Sequence, residues 1–349
     1  MTIYKGSKVR LAMLLVLLSL SLGYFLFPTV YVVDLSTTPF YSYYREYQYH
    51  KILVQGDAKT QRQLGYIYDK GIGVPQDYDK ALKLYKKAAE QGDIKAQNNL
   101  GVCYEEGKSV EQDNQKTIFW YTKAAEQGYL LAQMNLAGFF YNRGEYEEAF
   151  PWVLKAAEAG KSEAQNTLGW MYRHGNGVDK NPKRAFDWYR KAAEQGNSDA
   201  QFRLAYAYDV GEGVERDQKQ AAIWYKKLAA NENRSALHNL GLIYQYSEDV
   251  GIDLEQAFHW YKKAAELGHP EAQYKVANCY LKGIGVPQNN VEVYAWFYTY
   301  MFSKKSDEKN AKDFLSLLDY RIALFKSLTN EQKEKARKKA NEYLTKYNR

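Results

Sequence analysis

Residues 164–199 read AQNTLGWMYRHGNGVDKNPKRAFDWYRKAAEQGNSD. Ala164, Leu168 and Tyr172 fall on one face of a helix, and Ala200, Leu204 and Tyr208 repeat that face in the next stretch. Gly169 lies on this face and leaves room for a second helix to approach. Gly175 supplies a residue free to adopt positive φ, which ends the first helix. Asn181 is a preferred N-cap and opens a second helix. That helix carries Ala185, the pair Trp188-Tyr189 and Lys191-Ala192-Ala193-Glu194, and it stops at Gly196. The stretch therefore predicts a helix–turn–helix unit.

The unit recurs. Counted from its first small residue, copies start at Thr60, Ala96, Ala132, Ala164, Ala200, Ala236 and Ala272, spaced by 36, 36, 32, 36, 36 and 36 residues. A period of this size is the signature of a stacked repeat array, in which each unit buries its apolar face against its neighbours. The sixth-place glycine returns as Gly65, Gly101 and Gly241, and the twelfth-place glycine as Gly71, Gly107, Gly211 and Gly283. The eighteenth place holds Asp77, Asp113, Asn181, Asp217, Asp253 and Asn289, each read as a cap on a second helix.

The pattern A-x3-LG-x2-Y-x2-G-x-GV-x2-D-x3-A-x2-WY-x-KAAE-x-G resembles the Sel-1-like repeat family, a relative of the tetratricopeptide repeat. It runs over residues 60–303. The resemblance implies an all-α fold, an α-solenoid of seven helix–turn–helix repeats, whose inner surface binds other proteins. It implies no single activity. Some relatives neutralise secreted toxins, and an immunity-type neutraliser is the alternative role the resemblance implies for this chain. Others with two cysteines per repeat are linked to β-lactam chemistry, but this chain has only Cys103 and Cys279, so a hydrolase or cell-wall ligand binder of that type loses its support. Both cysteines hold the eighth place of a first helix and are expected as small buried thiols, too far apart to pair.

Some units depart from the pattern. The third is four residues short and has Pro151 inside its second helix. A tighter loop and a change in curvature near residue 144 are expected there. The fifth unit has Glu232 where its siblings end in Gly, and the sixth replaces the Gly-x-Gly loop by Ser247-Glu248-Asp249.

Residues 11–33, LAMLLVLLSLSLGYFLFPTVYVV, contain no charge and follow Lys5, Lys8 and Arg10. As a helix they would be about 35 Å long, enough for a ~30 Å hydrocarbon core. The charge bias puts residues 1–10 in the cytoplasm and the body beyond the membrane. A retained transmembrane anchor in an inner membrane, with the body in the periplasm, is the reading adopted. The alternative is a signal peptide cleaved near Ser21-Leu22-Gly23, leaving a secreted or periplasmic body. Residues 34–59 are expected as an N-terminal capping helix and residues 304–349 as C-terminal capping helices. Phe314, Leu317, Leu318, Ile322 and Phe325 would form an apolar stripe, followed by a Thr329/Gln332 capping box.

Of the net charge of +7, the first ten residues supply +3 and residues 304–349 supply +6, so the body between is slightly acidic. A basic surface able to follow a phosphate backbone is not expected, and nucleic acid is not a predicted partner. The five histidines lack metal-ligand spacing, and the Gly-x-Gly runs lack the remaining features of nucleotide loops. No cofactor, metal or catalytic group is called for. The expected role is a non-enzymatic scaffold or adaptor in the cell envelope, with a protein or peptide in its concave groove. Oligomeric state is left open. If first helices line that groove, as in tetratricopeptide arrays, their third, seventh, tenth and eleventh places face it. Trp170, Phe202, Tyr206, His238 and Tyr274 hold third or seventh places, and Arg173, His174, Asp209 and Tyr246 hold tenth or eleventh. The repeat does not require these identities, and Trp, Tyr and Arg are rich in interface hot spots.

Overall fold

The computed structural model describes residues 39–303 and 323–347, and its described residues are helices joined by short loops, with no strand among them. The predicted span at 11–33 and the stripe at Phe314–Ile322 lie outside the described residues. No described helix is long and apolar enough to cross a membrane. The chain divides into two compact units, residues 1–93 and residues 94–349.

In the first unit, α1 (Pro39–Gln55) precedes a helix pair, α2 (Ala58–Lys70) and α3 (Tyr78–Glu90). The predicted capping helix is present as α1. Gln61 of α2 donates to the Ile52 and Leu53 carbonyls in the last turn of α1. Lys80 of α3 pairs with Glu46 and sits over the Tyr49 and Tyr68 rings at 5.3 and 5.2 Å.

The second unit holds six further pairs. They are α4 (Ile94–Glu106) with α5 (Asn114–Glu126), α6 (Leu130–Asn142) with α7 (Tyr146–Glu158), and α8 (Ser162–His174) with α9 (Pro182–Glu194). Then come α10 (Ser198–Val210) with α11 (Gln218–Ala229), α12 (Arg234–Tyr246) with α13 (Leu254–Glu266), and α14 (Pro270–Lys282) with α15 (Asn290–Ser303). Each first helix begins two residues before the small residue used to count units. In this unit Leu100, Leu136, Leu168, Leu204, Leu240 and, in the last pair, Val276 are fully buried, one per repeat. Each such burial stabilises by roughly 1.5–3 kcal/mol.

The predicted caps are in place. The carboxylate or amide oxygens of Asp77, Asp113, Asn181, Asp217 and Asp253 accept the backbone N–H three residues on, and Asn289 accepts from Val291 and Glu292. The third repeat has no side-chain cap at Glu145. Its loop is cut to Arg143–Glu145, with Gly144 at φ 77°, and α7 runs through Pro151 without a break.

Close packing inside each pair depends on the sixth place. A Cβ on Gly169 would lie 2.6 Å from the Tyr189 ring, and one on Gly241 would lie 2.4 Å from the Tyr261 ring. The tyrosine of each Trp-Tyr pair is thus buried inside its own repeat. The tryptophan one place earlier is less buried than the tyrosine. Trp152, Trp188 and Trp224 are half-buried, each beneath a lysine three residues on, at 4.5, 4.0 and 3.9 Å.

Two contacts join successive repeats that the motif reading did not single out. Gln133, Gln165, Gln201 and Gln273 each donate to an alanine carbonyl at the end of the preceding second helix. The second glycine of the Gly-x-Gly loop also meets the preceding repeat: a Cβ on Gly213 would lie 2.1 Å from the Pro182 carbonyl oxygen.

The end of the second unit is covered by residues 323–347. Leu324 and Leu328 are buried. Helix α16 (Asn330–Tyr347) opens on the predicted box, with Thr329 and Gln332 bonding reciprocally at 3.0 and 3.2 Å. Trp296 of α15 stacks on Tyr343 and Tyr347, and the buried carboxylate of Glu292 takes Lys339 and the Tyr343 hydroxyl. Cys103 and Cys279 are buried and unpaired as disulfides, and burial pushes the Cys279 thiol up to about 11.

Candidate functional site

Helices α8, α10 and α12 are first helices of successive repeats. Between them lies a hollow of about 390 Å³, lined by Arg173, Asp199, Phe202, Arg203, Tyr206, Asn233 and Ser235. Phe202, Tyr206 and Arg173 occupy third, seventh and tenth places, so the predicted register converges here. Phe202 is held edge-on against the buried Tyr225 ring at 5.7 Å. Tyr206 is 37% exposed, and the Arg173 guanidinium lies 5.2 Å from its ring centre. Arg173 is fixed in turn by Glu212, with contacts at 2.8 and 2.9 Å. One rim is the turn before α12, where Glu232 adopts φ 57° in place of the usual glycine and leads into the N-cap Asn233.

Arg203 also borders a second, narrow space shared with Arg173, Phe186, Tyr189 and Glu212. The Arg203 guanidinium lies 5.7 Å from the Tyr189 ring centre. Arg203 Nε and Tyr189 Oη are both buried, and the Arg203 side chain is the hydrogen-bonding neighbour of the Tyr189 hydroxyl. Burial pushes the Tyr189 phenol up to about 12, so it remains protonated at neutral pH.

The other candidates lie elsewhere. Trp170 packs with Tyr141 and Tyr146 at 5.6 and 6.1 Å, and His174 stacks on it at 4.4 Å while its Nδ1 meets the Trp170 carbonyl. Asp209 accepts from Gln218 and tethers the loop before α11. His238 is stacked on His269 at 4.7 Å, and burial lowers it to about 4. Tyr246 is 62% exposed beside Lys275, and Tyr274 packs on Phe297 and Tyr300. The reading by places missed Asp199, Arg203, Asn233 and Ser235. Arg203 holds a fourth place, which is polar in every repeat: Gln63, Asn99, Asn135, Thr167, Arg203, Asn239 and Lys275. That uniform polarity was the available signal.

A smaller hollow of about 140 Å³ lies in the short third repeat, lined by Met134, Ala137, Gly138, Tyr141, Val153 and neighbours from α8. Val153 stands where five of the sibling repeats carry a tyrosine and the seventh carries Phe297. Among the described residues no group of three or more His, Cys, Asp or Glu is placed to hold a metal ion.

The Sel1 repeat matches seven times in succession, over residues 58–93, 94–129, 130–161, 162–197, 198–233, 234–269 and 270–301. The chain belongs to the Sel1 repeat family. It is similar to a Sel1 repeat protein from Oxalobacter formigenes, 31% identical over 77% of this chain and 78% of that one, with a TM-score of 0.57. It is also similar to a protective antigen of uropathogenic Escherichia coli strains that displays an SLR fold, 32% identical over 86% of this chain and 71% of that one, with a TM-score of 0.53. A 34-residue stretch is 59% identical to the chitin synthase regulator SKT5 of Saccharomyces cerevisiae, and spans 10% of this chain and 5% of that protein. Sel1 repeat proteins are typically protein-interaction scaffolds.

Proposed function

We propose that this Sel1 repeat protein is a non-enzymatic interaction scaffold that binds a protein or peptide in the hollow between α8, α10 and α12. The observation that carries this reading is the grouping of Arg173, Phe202, Arg203 and Tyr206 around one hollow. The repeat frame does not need these side chains at the surface, and Arg and Tyr are enriched in binding hot spots. Such a hollow is of the size of a small ligand site, ~300–1,000 Å³.

The site of action we propose is the cell envelope. The uncharged run 11–33, preceded by Lys5, Lys8 and Arg10, supports an anchor with the repeats beyond the membrane. Fractionation with protease added from either side tests this. A full-length membrane-bound chain digested only from the outer side agrees with it, and a cytosolic chain does not.

Binding is tested with the full chain carrying Tyr206→Ala and Arg203→Gln together. Proteins captured by the natural chain should be lost, by tenfold or more in affinity, while the helical content and melting curve are kept. Trp224→Phe, on a second helix, should leave capture unchanged. Equal capture by the folded double variant would remove the hollow from consideration.

A further inference from the structure

The third repeat lacks bulk at two places that its siblings fill. Its second helix carries Val153 where five siblings have a tyrosine and the seventh has Phe297. Its first helix carries Gly138 at the seventh place, where the others hold Tyr66, Val102, Trp170, Tyr206, Leu242 and Asn278. A Cβ on Gly138 would meet nothing within 4 Å. Both residues line the hollow of about 140 Å³ between α6 and α8. The fifth repeat shows what occupies the matching space. There the Tyr225 ring packs on Phe202 at the third place, 5.7 Å away, and shares a core with Ala205 at the sixth. Its hydroxyl accepts from Asn239, at the fourth place of the next repeat, at 2.8 Å. In the third repeat the same places hold Met134, Ala137 and Thr167, and all three line the hollow. Its walls are those of a tyrosine site from which the ring is missing.

We propose that this hollow binds the side chain of a tyrosine presented by a protein partner, the ring taking the place that Tyr225 holds in the fifth repeat. The site is separate from the hollow between α8, α10 and α12 and does not depend on it. An apolar cavity of ~150 Å³ takes up one benzene-sized ring. Ala137 is no bar to a ring, because Ala205 and Tyr225 are buried in one core. The gap over Gly138 leaves room for the chain that carries the side chain. Thr167 donates its own proton to the Glu163 carbonyl at 2.9 Å, so its oxygen is left to accept from a phenol. Among the described residues lining the hollow only the exposed Glu163 is charged, which suits a neutral ring.

The test uses the full chain with isotope-labelled methionine methyl groups, because a ring entering beside Met134 shifts its methyl resonance. Met134→Leu assigns that resonance. The probes are p-cresol, which is the tyrosine side chain alone, and N-acetyltyrosine amide, which adds the peptide backbone. Both should shift the Met134 methyl and saturate. N-acetylphenylalanine amide should bind more weakly, and equal binding overturns the choice of tyrosine. Gly138→Leu, with a residue already found at this place as Leu242, should weaken both probes at least tenfold. Val153→Tyr should do the same and raise the melting temperature, since filling a cavity stabilises. No shift from either probe, or equal shifts in the natural chain and the folded Gly138→Leu variant, overturns the site. A shift with p-cresol alone overturns the partner tyrosine, because the hollow then excludes the backbone. These failures leave the reading of the larger hollow standing, since Arg203 and Tyr206 line no part of this one.

Discussion

His238 and His269 stack ring on ring at 15°, with Tyr261, Asn239, Lys275 and Glu271 around them. Burial is the main cause that lowers both rings, to about 4 for His238. His269 also accepts the Ala272 N–H as the N-cap of α14, a bond that protonated Nδ1 cannot make. The unfolded His238 binds its proton near pH 6.5 and the folded one near 4. Its stabilising effect is thus complete above about 6.5 and declines as the pH falls toward 4. Between pH 7.5 and 5.5 the His238 part of the loss is about 1 kcal/mol. His238→Phe, a residue already found at this place as Phe202, should flatten the pH dependence of the urea midpoint over that range. An unchanged slope would mean that His238 is not buried as neutral imidazole. Gly241 supplies a second prediction at this scale. Gly241→Ala drives a methyl into Tyr261 and should cost about 2 kcal/mol. Tyr261→Val should recover part of it, since the third repeat already matches Ala137 with Val153. Strict additivity in the double-mutant cycle would contradict direct contact. The fifth repeat tempers the magnitude, because it buries Ala205 and Tyr225 in one core.

Helix ends are where sequence and structure agree most closely. The caps at Asp77, Asp113, Asn181, Asp217, Asp253 and Asn289 could be read directly, because an N-cap needs only one residue type at one place. Asp217→Ala should lower stability by about 1 kcal/mol, whereas Glu145→Ala, which removes no cap bond, should change it by less than about 0.5. Hydrogen exchange along α11 and α7 would separate the two, and similar losses at both sites would contradict the cap assignment. The glutamines that join repeats were less legible. A Gln after the leading Ala of most repeats looks like ordinary helix polarity until the preceding helix end is placed beside it. The same holds for the second glycine of the loop in the fourth, fifth and seventh repeats. Its small size answers a carbonyl of the previous repeat, as at Gly213 and Pro182, and nothing within its own repeat reveals that.

At the scale of the molecule, the repeat architecture was readable because seven copies restate one solution. The candidate site was readable only in part, since it sits where the copies differ. Place counting found Arg173, Phe202 and Tyr206. It also grouped Trp170, Asp209, His238, Tyr246 and Tyr274 with them, although these side chains pack into other parts of the second unit. It missed Arg203 because the fourth place is polar throughout, and what distinguishes Arg203 is its position on the hollow beside Phe202 and Tyr206. Partners are expected on the first helices of the fourth to sixth repeats. In-cell photo-crosslinking from single positions tests this, with a crosslinker at Tyr206 compared with one at Trp224 on a second helix. One discrete crosslinked partner is expected from position 206 that Arg203→Gln abolishes, and none of that partner from position 224. The same partner captured from 224 and not from 206 would contradict it.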